Sequence, residues 1–561
     1  MVAPGQVLLV LEAMKMEHEV RAPATGCLGP WQYAMDAMVD EGALLVMLTP
    51  VEAPQRAAAT TGVSLSGENS VAAQAVRADL QRLQDRLAWT EDARRPEAVA
   101  RRHAGGLRTV RENIAALCDA GSFIEYGALA VAAQSRRRSA EELMRQTPAD
   151  GMVTGIGQVQ GRPVAVLGYD ATVLAGTQGF RNHQKTDRLL AQALQQRLPV
   201  VLLAEGGGGR PGDVDLPIVA GLHLGTFAAF ARLNGRVPVV GIVAGRCFAG
   251  NAALLGCCDL IIATRDSNIG MGGPAMVEGG GLGVFTPGQI GPSSVQHANG
   301  VIDVLVDNEA QAVAAAQQYL GLLAGPAQAG PAPDPMALRT VVPENRLRVY
   351  DSRLVMQGLV DSDSLLMLRT GFGSGVHTAL GRLGGRAVGL MANNPQHLGG
   401  AIDADAADKV ARFMQLCNAH GLPIVSLVDT PGFMVGPETE ATAQVRHVAR
   451  LFIAAGHLRV PLLAVVLRKG YGLGAMAMTA GGFHESLATV AWPTGEFGGM
   501  GLEGAVRLGY RKELESVPEG PERQALYERL VAEHYEKGHA LNMAATLEID
   551  AVIDPADTRN W

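Results

Sequence analysis

"LPVVLLAEGGGGRPG", residues 198–212, returns as "LPIVSLVDTPGFMVG", residues 422–436. The spacing is 224 residues. It holds over a long reach: "GRPVAV" at 161 falls on "GRAVGL" at 385, and Lys185 falls on Lys409. Further on, "VPVVGIVAGRCFAGNAAL" (237–254) meets "VPLLAVVLRKGYGLGAMA" (460–477) at a spacing of 223. Each copy reads strand, helix, strand, glycine-rich loop, helix, strand, then a glycine-rich turn into a helix. That alternation predicts parallel sheets covered by helices, hence two α/β domains of one ancestry.

Each copy carries two glycine-rich segments after buried-strand patterns. They are "EGGGGRPG" (205–212) with "GRCFAGNAA" (245–253), and "DTPGFMVG" (429–436) with "RKGYGLGAMAM" (468–478). Loops at the carboxyl ends of parallel strands are where α/β proteins hold ligands. Glycine lets a backbone N–H approach an oxygen with no Cβ in the way. The pattern suits an oxyanion hole, in which amides hold a developing enolate or tetrahedral oxygen. Phosphate cradling is the competing use, but these loops lack G-x-x-x-x-G-K-[ST]. The chain also lacks G-x-S-x-G and H-E-x-x-H, and His447, His457 and His484 stand isolated. The site is expected to rely on backbone amides, with neither a triad nor a metal.

Ahead of the duplication, "VAPGQVLLVLE" (2–12) is echoed by "VDEGALLVML" (39–48), which predicts a small β module. Between the two lies "LEAMKMEHEV" (11–20), whose "EAMKME" favours helix by propensity alone. A stretch rich in Pro, Ala, Ser and Thr follows as a linker over 50–72. Leu80, Leu83 and Leu87 then share a helix face.

With 48% hydrophobic and 18% charged residues, the chain is globular rather than disordered. A net charge of −8 gives no pull toward nucleic acid, and "RRRS" (136–139) reads as solvated surface. Six scattered cysteines with no C-x-x-C pair predict reduced thiols. The opening residues lack a basic signal-peptide region, and no apolar run reaches membrane length, so a soluble, cytoplasmic protein with no membrane contact is expected.

"EAMKM" followed by "RAPATG" resembles the biotinyl (biotin carboxyl carrier) domain, a hammerhead module of β-strands. The resemblance implies biotin amide-linked to Lys15 at a hairpin tip, attached by a biotin protein ligase. A lipoyl domain usually carries D-K-A at this turn. From about 105 onward the chain resembles the carboxyltransferase of acyl-CoA carboxylases. "TVRENIAALCDAGSFIEYG" (109–127), "DGMVTGIGQVQGRPVAV" (150–166), "DKVARFMQLCNAHGLPIVSLVDTPGF" (408–433), "AWPTGEFGGMGLEGAVRL" (491–508) and "VIDPADTR" (552–559) carry it. The order of carrier then transferase looks closest to single-chain carboxylases of broad or long-chain acyl-CoA range.

The resemblance implies duplicated crotonase/ClpP-like domains behind a partial biotinyl module: 1–49 biotinyl, 50–72 linker, 73–335 and 336–561 transferase. It implies transfer of CO2 from carboxybiotin to the α-carbon of an acyl-CoA, the biotin nitrogen taking the α-proton, with no protein base. The backbone of Gly207 and Gly208 is expected to hold the thioester oxygen, and that of Leu473 and Gly474 the ureido oxygen of biotin. Leu473 stands where the family usually has glycine, and Met476 where propionyl-preferring relatives have aspartate. Arg181, Lys185 and Arg188 are candidate CoA phosphate contacts, or a solvated helix face. The family implies a homo-oligomer, a hexamer, working with a separate ATP-dependent biotin carboxylase. A biotin-dependent decarboxylase subunit and a non-catalytic carrier are the alternatives. The partner of "VRAPATGCLGPW" in the biotinyl repeat is expected before Met1: either the reading frame starts further upstream, which is favoured, or the carrier is truncated.

Overall fold

The computed structural model describes residues 1–51, 76–215 and 220–561, in two compact units, 1–77 and 78–561. The predicted linker falls almost wholly outside the described residues.

In the first unit, β1 (Val7–Ala13) and β2 (Met16–Arg21) form an antiparallel hairpin, and β3 (Gly26–Leu28) pairs with β4 (Leu48–Pro50). The stretch that favours helix by propensity is therefore strand–turn–strand. Its two-residue turn is Met14–Lys15, with φ of +53° and +65°. Two successive positive φ values mark the turn whose twist matches a hairpin, a place usually taken by Asn-Gly.

The second unit opens with helices Ala78–Ala88 and Pro96–Ala104. The leucine stripe of the first forms as the spacing predicts, but Leu80, Leu83 and Leu87 are all exposed.

The first sheet contains β5 (Ile124–Tyr126), β6 (Met152–Val159), β7 (Arg162–Tyr169) and β8 (Val200–Leu203). A short β9 (Gly206–Gly207) comes next, then β10 (Val239–Val243), β11 (Arg246–Phe248), β12 (Leu260–Thr264), β13 (Asn268–Gly270) and β14 (Val304–Val306). The sheet order is β14-β12-β10-β8-β7-β6-β5, and β13-β11-β9 make a small parallel sheet of their own. From β7 to β14 the pairing is parallel, and β5–β6–β7 is antiparallel. Buried on both faces, these strands are apolar without alternation, as in "VVLL" of β8.

The second sheet repeats this plan. It runs β15 (Leu366–Leu368), β16 (Val376–Leu383), β17 (Arg386–Asn393), β18 (Ile424–Thr430), β19 (Leu462–Tyr471), β20 (Ala488–Ala491) and β22 (Ala551–Val552). Strand β21 (Glu496–Gly498) pairs beside the end of β19. The order and the switch from antiparallel to parallel match the first sheet strand for strand. Helices Phe180–Gln196 and Ala404–His420 start 224 residues apart and end on left-handed caps, Arg197 and Gly421. Even the strained backbone is copied, with φ of +47° at Leu174 and +48° at Leu398.

The first sheet ends at Val306 and the second begins at Leu366, either side of residue 336. One apolar core joins them, from Val110, Val166 and Ile262 through Tyr319 to Val376, Ile424 and Val466. Across the junction, Arg369 Nε donates to Asp303 Oδ1 at 2.7 Å, and His420 Nε2 lies 3.0 Å from Asp259 Oδ2. Among the described residues no helix is long and apolar enough to cross a membrane.

Candidate active site

The end of β8 delivers the four glycines 206–209 to the carboxyl edge of the first sheet. Gly206 (φ +101°) passes so close to the 174–176 turn that a Cβ would sit 2.4 Å from the Gly176 oxygen. Gly208 (φ +59°) packs on the start of helix Gly250–Gly256, where its Cβ would be 2.8 Å from Ala249 Cβ. Gln178 N–H donates to the Gly208 oxygen at 2.7 Å, which fixes the loop through its carbonyl. Gly206 and Gly207 pair with Cys247 and Phe248 in the small parallel sheet, while the Gly209 amide donates to nothing among the described residues. The helix opposite has no side-chain cap, so its first amides lack helical partners too. Loop and helix start face a cavity of 390 Å³ with apolar walls from Phe248, Pro274 and Met276. A second cavity of 790 Å³ shares Ala175, Gly206 and Arg246 with it and is lined further by Arg108 and Asp307.

The second half builds the equivalent place differently. Gly472 (φ +55°) turns β19 into helix Gly472–Met478, and Gly474 is pressed onto the loop after β18. A Cβ on Gly474 would lie 2.7 Å from Gly432 Cα. The Gly432 amide donates to Thr430 Oγ1 at 3.1 Å, so the loop amide is occupied. The helix-start amides of Leu473 and Gly474 have no helical partner. Leu473 lies in ordinary helical backbone with its side chain 60% exposed, so a Cβ there obstructs nothing. Met476 follows one turn on, with its side chain partly exposed.

Of the three candidate cations on helix Phe180–Gln196, Arg181 and Arg188 are exposed. Lys185 requires a correction. Its ammonium turns inward, donating to the Ala149 oxygen at 2.9 Å and to the Met152 oxygen, and burial lowers its pKa to about 8. It ties the helix to β6 and is not presented to a phosphate. Lys409 repeats the arrangement on the Phe372 oxygen at 2.9 Å, with its pKa lowered to about 7 by burial. The cations that do line the cavities are Arg108 and Arg246. Sequence reasoning passed over both, although Arg246 stands directly in "GRCFAGNAA".

Buried polar groups also surround the loops. Arg102 clamps Glu205 with two hydrogen bonds, at 2.6 and 2.5 Å. Asp429 lies 3.1 Å from both Arg468 Nη2 and Lys469 Nζ. Asn251, at the helix start, donates to the Glu205 oxygen at 2.7 Å. The isolated histidines have structural partners: His447 meets Asp408 at 2.8 Å, His457 the Ile453 oxygen at 2.8 Å and His484 the Leu547 oxygen at 2.9 Å. None of them lines either cavity.

Comparison with known proteins decides the family. Residues 101–561 match the carboxyl transferase domain. The chain belongs to the carboxyl transferase family. Residues 1–48 of this transferase match the biotin-requiring enzyme family, so biotin is the cofactor its leading module implies. The transferase is 32% identical over 475 residues to the methylmalonyl-CoA carboxyltransferase 12S subunit of Propionibacterium freudenreichii, covering 82% of this chain and 88% of that one. It is 31% identical to the biotin-dependent long chain acyl-coenzyme A carboxylase beta4 subunit of Mycobacterium tuberculosis, covering 86% of this chain and 92% of that one. Among solved structures, a single-chain, multi-domain long-chain acyl-CoA carboxylase superposes with a TM-score of 0.83 at 52% identity. All of this transferase is covered in that match, and it spans 53% of the larger chain.

The leading module fits biotin. Lys15 is exposed at the strained hairpin tip and makes no hydrogen bond or ion pair among the described residues. Its amine is open to acylation from outside. Positive-φ residues that are not glycine persist where a site needs them.

Proposed function

We propose that the transferase moves a carboxyl group from biotin on Lys15 to the α-carbon of an acyl-CoA. The observation that carries this reading is the pair of amide sets at equivalent edges of the two sheets, the first opening on the apolar 390 Å³ cavity.

In the first half, the Gly207 and Gly208 amides, with the facing helix start, hold the thioester oxygen as the α-carbon gains enolate character. In the second, the Leu473 and Gly474 amides hold the ureido oxygen. Biotin supplies the carboxyl group and, once that has left, the nitrogen that takes the α-proton. The protein's part is to place amides where charge develops, which costs no reorganisation during the reaction. Arg108 and Arg246, beside the larger cavity, are the cations we assign to the CoA phosphates. Phe248, Pro274 and Met276 give the acyl group an apolar wall. Those walls and the 52% identity to a long-chain acyl-CoA carboxylase favour a broad to long acyl range. Charging the carrier is assigned to an ATP-dependent biotin carboxylase acting from a separate subunit, and assembly to a homo-oligomer. Relatives titled as 12S transcarboxylase form hexamers.

The reading is tested with Lys15→Arg. Streptavidin-detected biotin should disappear from the full chain after co-expression with a biotin ligase. Transfer of carboxyl from malonyl-CoA to free biocytin should continue, since that step needs both amide sets but no carrier. Persistent label would remove Lys15 as the attachment site, and no biocytin transfer by the parent chain would remove the transferase reading.

A further inference from the structure

Glu205 and Asp429 occupy one and the same position of the duplicated unit, 224 residues apart and immediately before each glycine loop. Each carboxylate lies on the chain segment that leads into the facing helix start. Glu205 Oε1 would be 2.2 Å from a Cβ on Gly245, so it rests directly on that backbone. Asp429 Oδ1 accepts the Lys469 N–H at 3.1 Å. Gly245–Arg246 and Arg468–Lys469 are themselves equivalent, at the 223 spacing. Both carboxylates therefore lie between the same two segments, the strand-end loop and the approach to the helix, Asp429 through a hydrogen bond and Glu205 through contact with Gly245.

The neutralising cations differ. Asp429 is fully buried and takes Arg468 and Lys469 from the neighbouring strand. Arg468 is locked in turn by the Arg346 and Arg348 oxygens at 3.1 and 2.8 Å. Asp429 also sits where the β18–β19 register shifts, and its own amide donates to Asn393 Oδ1 at 3.1 Å. Glycine stands where Arg468 would be in the first half. Glu205 takes its partner from outside the repeat instead: Arg102, held by its Nε to the Arg108 oxygen at 2.8 Å. A buried, ion-paired carboxylate is costly to disturb, which makes it a stiff strut.

We infer that Glu205 and Asp429 are positioning residues, one for each half-site, setting the separation between strand-end loop and helix-start amides. The inference rests on the half-site roles proposed above. A loop displaced by about 1 Å is enough to cost ~100-fold in rate. The ground-state oxygens already accept from these amides, so each strut also governs the KM of its own substrate alone.

The experiment uses the full chain with malonyl-CoA as donor and biocytin as acceptor. Glu205→Gln and Asp429→Asn should both lower kcat, about 100-fold. Glu205→Gln should raise the KM for malonyl-CoA at least tenfold and leave that for biocytin within twofold; Asp429→Asn should do the reverse. Arg102→Met and Lys469→Met, which keep the carboxylates but remove a cation, should shift the same KM as their partners and serve if Asp429→Asn does not fold. A swapped pattern would uphold the struts and overturn the half-site assignment. Both KM values moving together in every folded variant, or neither moving, would overturn the struts and leave the assignment standing.

Discussion

A methyl group at Gly474 would meet the Gly432 backbone at 2.7 Å, whereas the leucine beside it is largely exposed. The two residues of the turn thus differ sharply in tolerance. Gly474→Val should lower kcat 100-fold or more, in line with ~10²–10³ for loss of one oxyanion donor. Leu473→Gly should change it less than threefold. Gly208→Val should match Gly474→Val, because φ of +59° and Ala249 at 2.8 Å both oppose it. Circular dichroism and biocytin transfer together check all three. The glycines were legible as backbone donors from the sequence. That the second loop's amide is spent on Thr430 was not, since a hydroxyl two residues away looks the same whether or not it folds back.

On helices Phe180–Gln196 and Ala404–His420 the inward lysines show where periodicity misleads. Arg181, Lys185 and Arg188 share a face by spacing, and two of them do point to solvent. The third tucks its four-carbon stem along the helix and spends its charge on carbonyls at the start of β6, the kind of burial a long amphipathic side chain permits. A titration follows from its twin. Burial holds Lys409 at about 7, against about 10.4 for an unfolded lysine. Above pH 7 the unfolded chain binds more protons at this position than the folded one, so stability rises with pH. Thiol burial acts the other way, as at Cys118, whose pKa is pushed up to about 11, but only near and above the ordinary thiol range of about 8.5. Between pH 7 and 8 the lysine contribution is thus clear of the thiols, with Lys185, held at about 8, adding to it toward the upper end. Urea midpoints should climb across that window in the parent chain, climb less in Lys409→Met and flatten only when Lys185 is replaced as well.

For the whole molecule, the duplication carried most of the fold. Matching the copies by sequence pairs each strand of one sheet with its counterpart in the other, because a parallel sheet buried on both faces leaves its apolar runs in plain view. The biotinyl hairpin was legible only by resemblance, since local propensity argued for helix and the turn overruled it. The activity prediction belongs at this scale. Carboxylated acyl-CoA should form from bicarbonate only when a biotin carboxylase and ATP are added to biotinylated chain. Mass spectrometry of the product decides it, and product from the chain with ATP alone would refute it.

The spacing between the copies drops from 224 to 223, and the structure locates the slip. The bridges Gln178–Gly209 and Ile402–Phe433 still keep 224, while β10 and β19 already keep 223. Among the described residues between them, the first copy has the six-residue helix Thr226–Ala231, and the second has Pro437–Glu440 and the thirteen-residue helix Gln444–Gly456. That stretch is where the two copies have drifted apart in architecture rather than in side chains alone. Chimaeras that exchange loops upstream of it should assemble, while crossovers within it would put every following residue one place out of step.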